Sequence, residues 1–202
     1  LRAVDASVFA SEMADARSES RRPWRDFNLL VFDRVTPSPG DIPPQPTISF
    51  GAGLPLPGLT LRPPPASSAG AIRFDTWRRA DPLMRYVALD PIIISPPPPT
   101  IETTEVAPAN GSSTSEGARS TSDVRPLASG PDGPIIAAQQ EPGVGPRRIV
   151  VSFPLARSNW APDTSFAVFM ANAVDLLTGR GDAAIGRFFT TAEPVTVHAD
   201  PG

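Results

Sequence analysis

Residues 147–179, RRIVVSFPLARSNWAPDTSFAVFMANAVDLLTG, constrain the fold more than any other part of the chain. An apolar run leads into a polar turn, and the turn leads into a segment with helical periodicity. Phe166, Val168, Phe169, Met170, Ala173, Val174, Leu176 and Leu177 give that segment a wide apolar face. Asp163 or Thr164 can accept from the unpaired N–H groups of a first turn, Pro162 stands just ahead, and Gly179 stops the helix. A strand feeding a helix in this way is a unit of α/β architecture. In many α/β enzymes the same junction carries a nucleophile or cradles a phosphate, so it is the first place to test for chemistry.

Upstream, the spacing predicts a short helix within 5–20, with Asp5 and Ser7 as caps, and a buried strand of a parallel sheet over 27–33. TISF at 47–50 reads as a second strand ending in the GAG turn. Proline interrupts 54–65 too often for regular structure. A strand around Ile72 to Phe74 is followed by a turn through Asp81-Pro82 and a return carrying Val87, Leu89 and Ile92 to Ile94. The 27 prolines and 15 glycines make up about a fifth of the 202 residues, well above the usual share.

Residues 95–122 change character: four prolines at 96–99, then a polar low-complexity tract with little to bury. This reads as a mobile insertion with a stiff proline spacer at its mouth. Asn110-Gly111-Ser112 within it fits a glycosylation sequon and, equally, a simple turn. From 124 to 153 the strands are spaced as a meander that turns through Pro131-Asp132-Gly133, and the last strand feeds the helix. One more strand is expected near Val195 to Val197.

Composition removes several kinds of chemistry. There is no cysteine, which excludes a thiol nucleophile, a Cys-ligated zinc and a disulfide scaffold. The net charge of −3 provides no basic field to attract nucleic acid or acidic lipid. No apolar run approaches the roughly 20 residues that span a bilayer. The single histidine, His198, would have to fold back onto Ser158 or Asp33 to build a hydrolase, and Ser158 lacks the Gly-x-Ser-x-Gly setting of a nucleophile elbow. Asp5 begins a fragment of a metal-binding Asp-x-Ser-x-Ser pattern but meets Phe9 where the second serine belongs, and Gly51-Ala52-Gly53 opens no helix. No cofactor or metal site is expected.

Arg157, Ser158, Asn159 and Trp160 lie beyond the carboxyl end of a strand, where open α/β sheets place their ligands. The structural reading of the same residues has Trp160 covering the start of the helix and Asn159 closing the turn through its side chain. Architecture is the stronger expectation.

NLLVFDRVTP (28–37), ISFGAGLP (48–55), DPLMRYVAL (81–89), DGPIIAA (132–138) and residues 147–177 occur in this order. Together they resemble the C-terminal region of bacterial aerotolerance-type (Bat-like) membrane proteins, most specifically at 149–177 and then at Asp33-Arg34-x-x-Pro37. Asp81-Pro82 and Phe153-Pro154 stand where that family often has His-Pro and Phe-Asp. The resemblance implies a three-layer α/β sheet of the class I glutamine amidotransferase-like (flavodoxin-like) kind, spanning 1–202 as a single degenerate domain with a β-rich, proline-rich insertion. It implies a non-catalytic interaction domain excised from a longer membrane-anchored protein, most simply on the extracytoplasmic side. Its expected partners are a von Willebrand A domain of the same chain, other Bat-like proteins and a MoxR-type ATPase. Asp33, Arg34, Arg157, Ser158, Asn159 and Trp160 are the candidate interaction or turn residues. A residual hydrolase using Ser158 and His198, and a displayed polyproline ligand, are the alternatives.

Overall fold

The structure is a computed structural model that describes residues 6–18, 26–38, 42, 44–56, 58–68, 70–103, 123–140 and 147–179. His198, Asp5, the sequon at 110–112 and the strand expected at 195–197 lie outside these residues. Among these residues the fold is mixed α/β, built on a six-stranded mixed sheet and two α-helices.

The three parallel strands of that sheet are β1 (Leu30–Asp33), β2 (Thr47–Phe50) and β10 (Arg147–Val151), with β2 in the middle. β10 then pairs antiparallel with β9 (Gly133–Gln140), β9 with β8 (Asp123–Gly130), and β8 with the two-residue β5 (Thr76–Trp77). The meander expected over 124–153 is therefore β8, β9 and β10, and Pro131-Asp132 form its first turn. Pro126 sits inside β8, where it lacks an N–H to donate. The ladder slips there, with a register shift between Pro126 and Ala128.

β1 departs from the expected buried strand. It is parallel, but it forms the sheet edge, and Val31 is 51% exposed. Phe32 turns inward instead and meets Phe9 of α1 (Ala6–Ser18), with ring centroids 5.4 Å apart and planes nearly perpendicular.

Alternation along the strands sends two apolar sets to opposite faces. Ile48, Phe50, Ile149, Val151 and Ile136 join a cluster with Phe169, Ala173 and Leu177 of α2 (Thr164–Leu177). The i, i+4, i+8 spacing of those three residues is the stripe that the helical periodicity predicts. Val150, Ala137 and Phe32 join Phe9, Leu54, Leu56, Leu59 and Ile101 in a second cluster.

The second cluster corrects one sequence expectation. Residues 54–65 were expected to lack regular structure, yet β3 (Leu59–Arg62) pairs antiparallel with β7 (Thr100–Thr103). The four residues of β3 contain no proline, so the ladder keeps its donors, and Leu59 and Ile101 are buried beneath it. The 95–122 tract likewise begins as ordered chain: Pro98 and Thr100 are buried and β7 follows, while 104–122 lie outside the described residues. The remaining described pairing, β4 (Ile72–Arg73) with β6 (Ile93–Ile94), forms a strap that brings Ile72 and Ile94 to the cluster shared with α2.

Candidate functional site

The junction after β10 is built on a fully buried indole. Trp160 is 0% exposed and packs among Phe153, Phe166 and Phe169, with ring centroids 4.9–5.9 Å away. Its Nε1–H donates to Ser165 Oγ at 3.1 Å, which satisfies the one polar group the indole takes inside. Asp163 caps α2 by accepting from the Ser165 N–H at 2.8 Å. The side-chain hydrogen bond from Ser165, and then the backbone one, hold the Asp163 carboxyl below its ordinary range. Trp160, Ser165 and Asp163 thus form one connected start to the helix.

Ser158 and Asn159 are engaged just as fully. The Ser158 hydroxyl donates to Leu155 O at 3.1 Å and accepts from the Trp160 backbone N–H at 3.3 Å. Asn159 does not close its own turn. Its Oδ1 accepts from the Ile93 N–H at 2.7 Å, and its Nδ2 donates to Pro91 O at 3.1 Å. Backbone bonds extend the same seam: Asn159 N–H donates to Ile93 O, and Ser95 N–H donates to Arg157 O. Ser158 and Ile94 form an antiparallel bridge. The turn is the clamp that fastens the 91–95 strap to the sheet, while the Arg157 side chain points to solvent.

Asp33 and Arg34 sit apart from this clamp, at the end of edge strand β1 with β2 between them and β10. Arg34 Nε lies 3.4 Å from Asp33 Oδ2, and both side chains are about half exposed or more. Arg34 takes a positive φ of 56° while its N–H donates to Phe50 O. The carboxyl ends of β2 and β10 are closed over. Gly51, at φ +70°, lets Pro154 approach so closely that a Cβ there would lie 2.6 Å from the proline Cγ. Gly51 and Pro154 thus pack together at the carboxyl ends of β2 and β10, the side on which an open sheet takes its ligand.

Ser152 stands in no motif that the sequence displays. It directly follows β10, is fully buried, and its Oγ has no hydrogen-bond partner among the described residues. Its backbone N–H donates to Ile135 O. A cleft of about 300 Å³ opens at the other end of β10, lined in part by Arg125, Arg147, Arg148 and Leu176. Arg125 is tied to Asp81 at 2.9 Å, Arg147 reaches Gln140 and Leu176 O, and Arg148 reaches Thr47. No group of three or more His, Asp or Glu side chains among the described residues is arranged to hold a metal. No helix among them is long and apolar enough to cross a membrane.

Tyr86 is the other residue that the sequence does not reveal. It is 79% exposed and adopts φ +61°, a left-handed conformation unfavourable for a side chain with a Cβ. Asn172 on α2 holds this turn by donating to Leu83 O at 3.1 Å and to Arg85 O at 2.8 Å.

No protein-family model, curated protein or solved structure matches the chain.

Proposed function

We propose that this chain is a non-catalytic docking domain of a membrane-anchored, Bat-like bacterial protein. In this reading it lies beside a von Willebrand A domain on the extracytoplasmic side and assembles with other Bat-like proteins and a MoxR-type ATPase. The observation that carries the proposal is the engagement of the junction: Ser158 both donates and accepts internally, and both ends of the Asn159 amide grip the strap. A nucleophile needs a hydroxyl free to meet a base and a substrate, and this hydroxyl is turned toward its own backbone.

The same proposal takes the sheet as a divergent class I glutamine amidotransferase-like (flavodoxin-like) one. Three parallel strands, β1, β2 and β10, with α2 following β10, support it; the antiparallel β8 and β9 take the place of further parallel strands. The connection from Asp33 to Thr47 holds no helix among its described residues, which sets this sheet apart from a regular doubly wound one. The proline run at 96–99 suits a structural role better than a displayed ligand, because Pro98 is buried and Thr100 enters β7.

Calorimetric titration of the chain with the von Willebrand A domain of a Bat-like protein tests the proposal. The expected result is a complex that Ser158→Ala leaves intact. Absence of any complex would overturn the reading.

A further inference from the structure

We propose that Tyr86 and the arginines around it form a preorganised docking point for an acidic segment of a partner protein, an inference that rests on the interaction-domain reading above. Tyr86 is the most exposed of the large hydrophobic side chains on the described surface, and the backbone on both sides of it is tied down, by Val87 N–H to Met84 O and by Asn172 to Arg85 O. The turn beneath it starts from Asp81, which caps the 3₁₀ turn Pro82–Met84 by accepting from the Leu83 N–H and is itself fixed by Arg125. Leu83 and Met84 are fully buried, and Asn172 grips the carbonyls on either side of Met84. A ring presented on so rigid a pedestal loses little freedom when a partner covers it.

The surroundings of the ring give the partner's chemistry. The Arg85 guanidinium lies 5.0 Å from the centroid of Tyr86 and donates to its hydroxyl oxygen. Next to them Trp77 donates through Nε1 to Val87 O, and Arg79 lies 4.4 Å over the indole. Arg79 and Arg73 both reach Asp90, the former through its carboxylate and the latter through its carbonyl. Residues 73–90 carry four exposed arginines, Arg73, Arg78, Arg79 and Arg85, against two exposed carboxylates, Asp75 and Asp90. On a chain with a net charge of −3 this segment carries a local excess of positive charge, with one arginine against each of the two rings.

Tyr, Trp and Arg are the residue types that dominate binding hot spots, and guanidiniums laid over rings hold their donors ready for carboxylates. A peptide carrying Glu or Asp is the complementary partner. A nucleic acid fits less well, because the rest of the chain repels a phosphate backbone.

The test uses the whole chain and a fluorescein-labelled oligoglutamate peptide, read by anisotropy at low and at raised salt. Arg85→Glu is expected to weaken binding about tenfold, and Tyr86→Gly, which suits the left-handed backbone and keeps the fold, by a similar factor. Arg62→Ala, on the separate β3–β7 ribbon, leaves binding unchanged. Equal binding by wild type, Tyr86→Gly and Arg85→Glu would overturn the proposal, as would tighter binding of a single-stranded oligonucleotide than of the peptide. The complex with the von Willebrand A domain is measured in parallel. If it forms and ignores both substitutions, this surface is overturned while the interaction-domain reading stands; if it forms and weakens with both, the surface is supported.

Discussion

Asn159 Oδ1 lies 2.7 Å from the backbone nitrogen of Ile93, across 66 residues of sequence. This contact and its companion to Pro91 O join the β10–α2 junction to the strap that covers the core. Asn159→Ala is expected to lower the unfolding free energy by about 1–2 kcal/mol, since both bonds are partly exposed. Urea denaturation, with an unchanged m-value, is the check. Asn159→Asp keeps the acceptor, loses the donor to Pro91 and is expected to recover part of the loss.

Trp160→Ala empties the centre of the aromatic cluster and leaves Ser165 without its indole donor. The expected loss is about 3–5 kcal/mol, within reach of the whole stability of a domain this size. Trp160→Phe keeps a ring and is expected to lose less than half as much, as measured by thermal melts of the two variants side by side.

Gly51→Ala meets two obstacles at once, a positive φ and Pro154 atoms within 2.6–2.9 Å of the new Cβ. A destabilisation of at least about 2 kcal/mol is expected. Ser152→Ala has the opposite expectation. It removes a buried hydroxyl without a partner among the described residues, so stability is expected to hold or to rise by up to about 1 kcal/mol.

Asp163 gives a pH signature. Its folded carboxyl lies below the ordinary range because Ser165 stabilises the charged form. The folded form therefore binds the proton less readily than the unfolded chain. Its contribution is complete above the ordinary carboxylate range and fades as pH falls below about 4, through the lowered folded value. Melting temperatures of wild type and Asp163→Ala are expected to differ by a few degrees at neutral pH and to converge in acid.

Much of this fold can be read from local sequence. The β8–β9–β10 meander and α2 declare themselves because their signals lie within neighbouring residues: alternation, the Pro131-Asp132-Gly133 turn, a cap at Asp163 and Gly179 at φ +74°. The β3–β7 ribbon does not, because Leu59 finds Thr103 through a pairing that joins two proline-rich stretches 44 positions apart. Asn159 was legible as a turn residue, but its true partners at Pro91 and Ile93 are set by tertiary packing. Tyr86 gave no signal, since nothing around it marks a left-handed backbone. Asp33 and Arg34 form a local exposed pair on the sheet edge, away from the clamp.

The most direct test of the account is turnover of simple ester and amide substrates by the purified chain, beside its Ser158→Ala and His198→Ala variants. Wild type and both variants are expected to match the uncatalysed rate, all three remaining folded by circular dichroism. Turnover by the wild type that either substitution abolishes would contradict it.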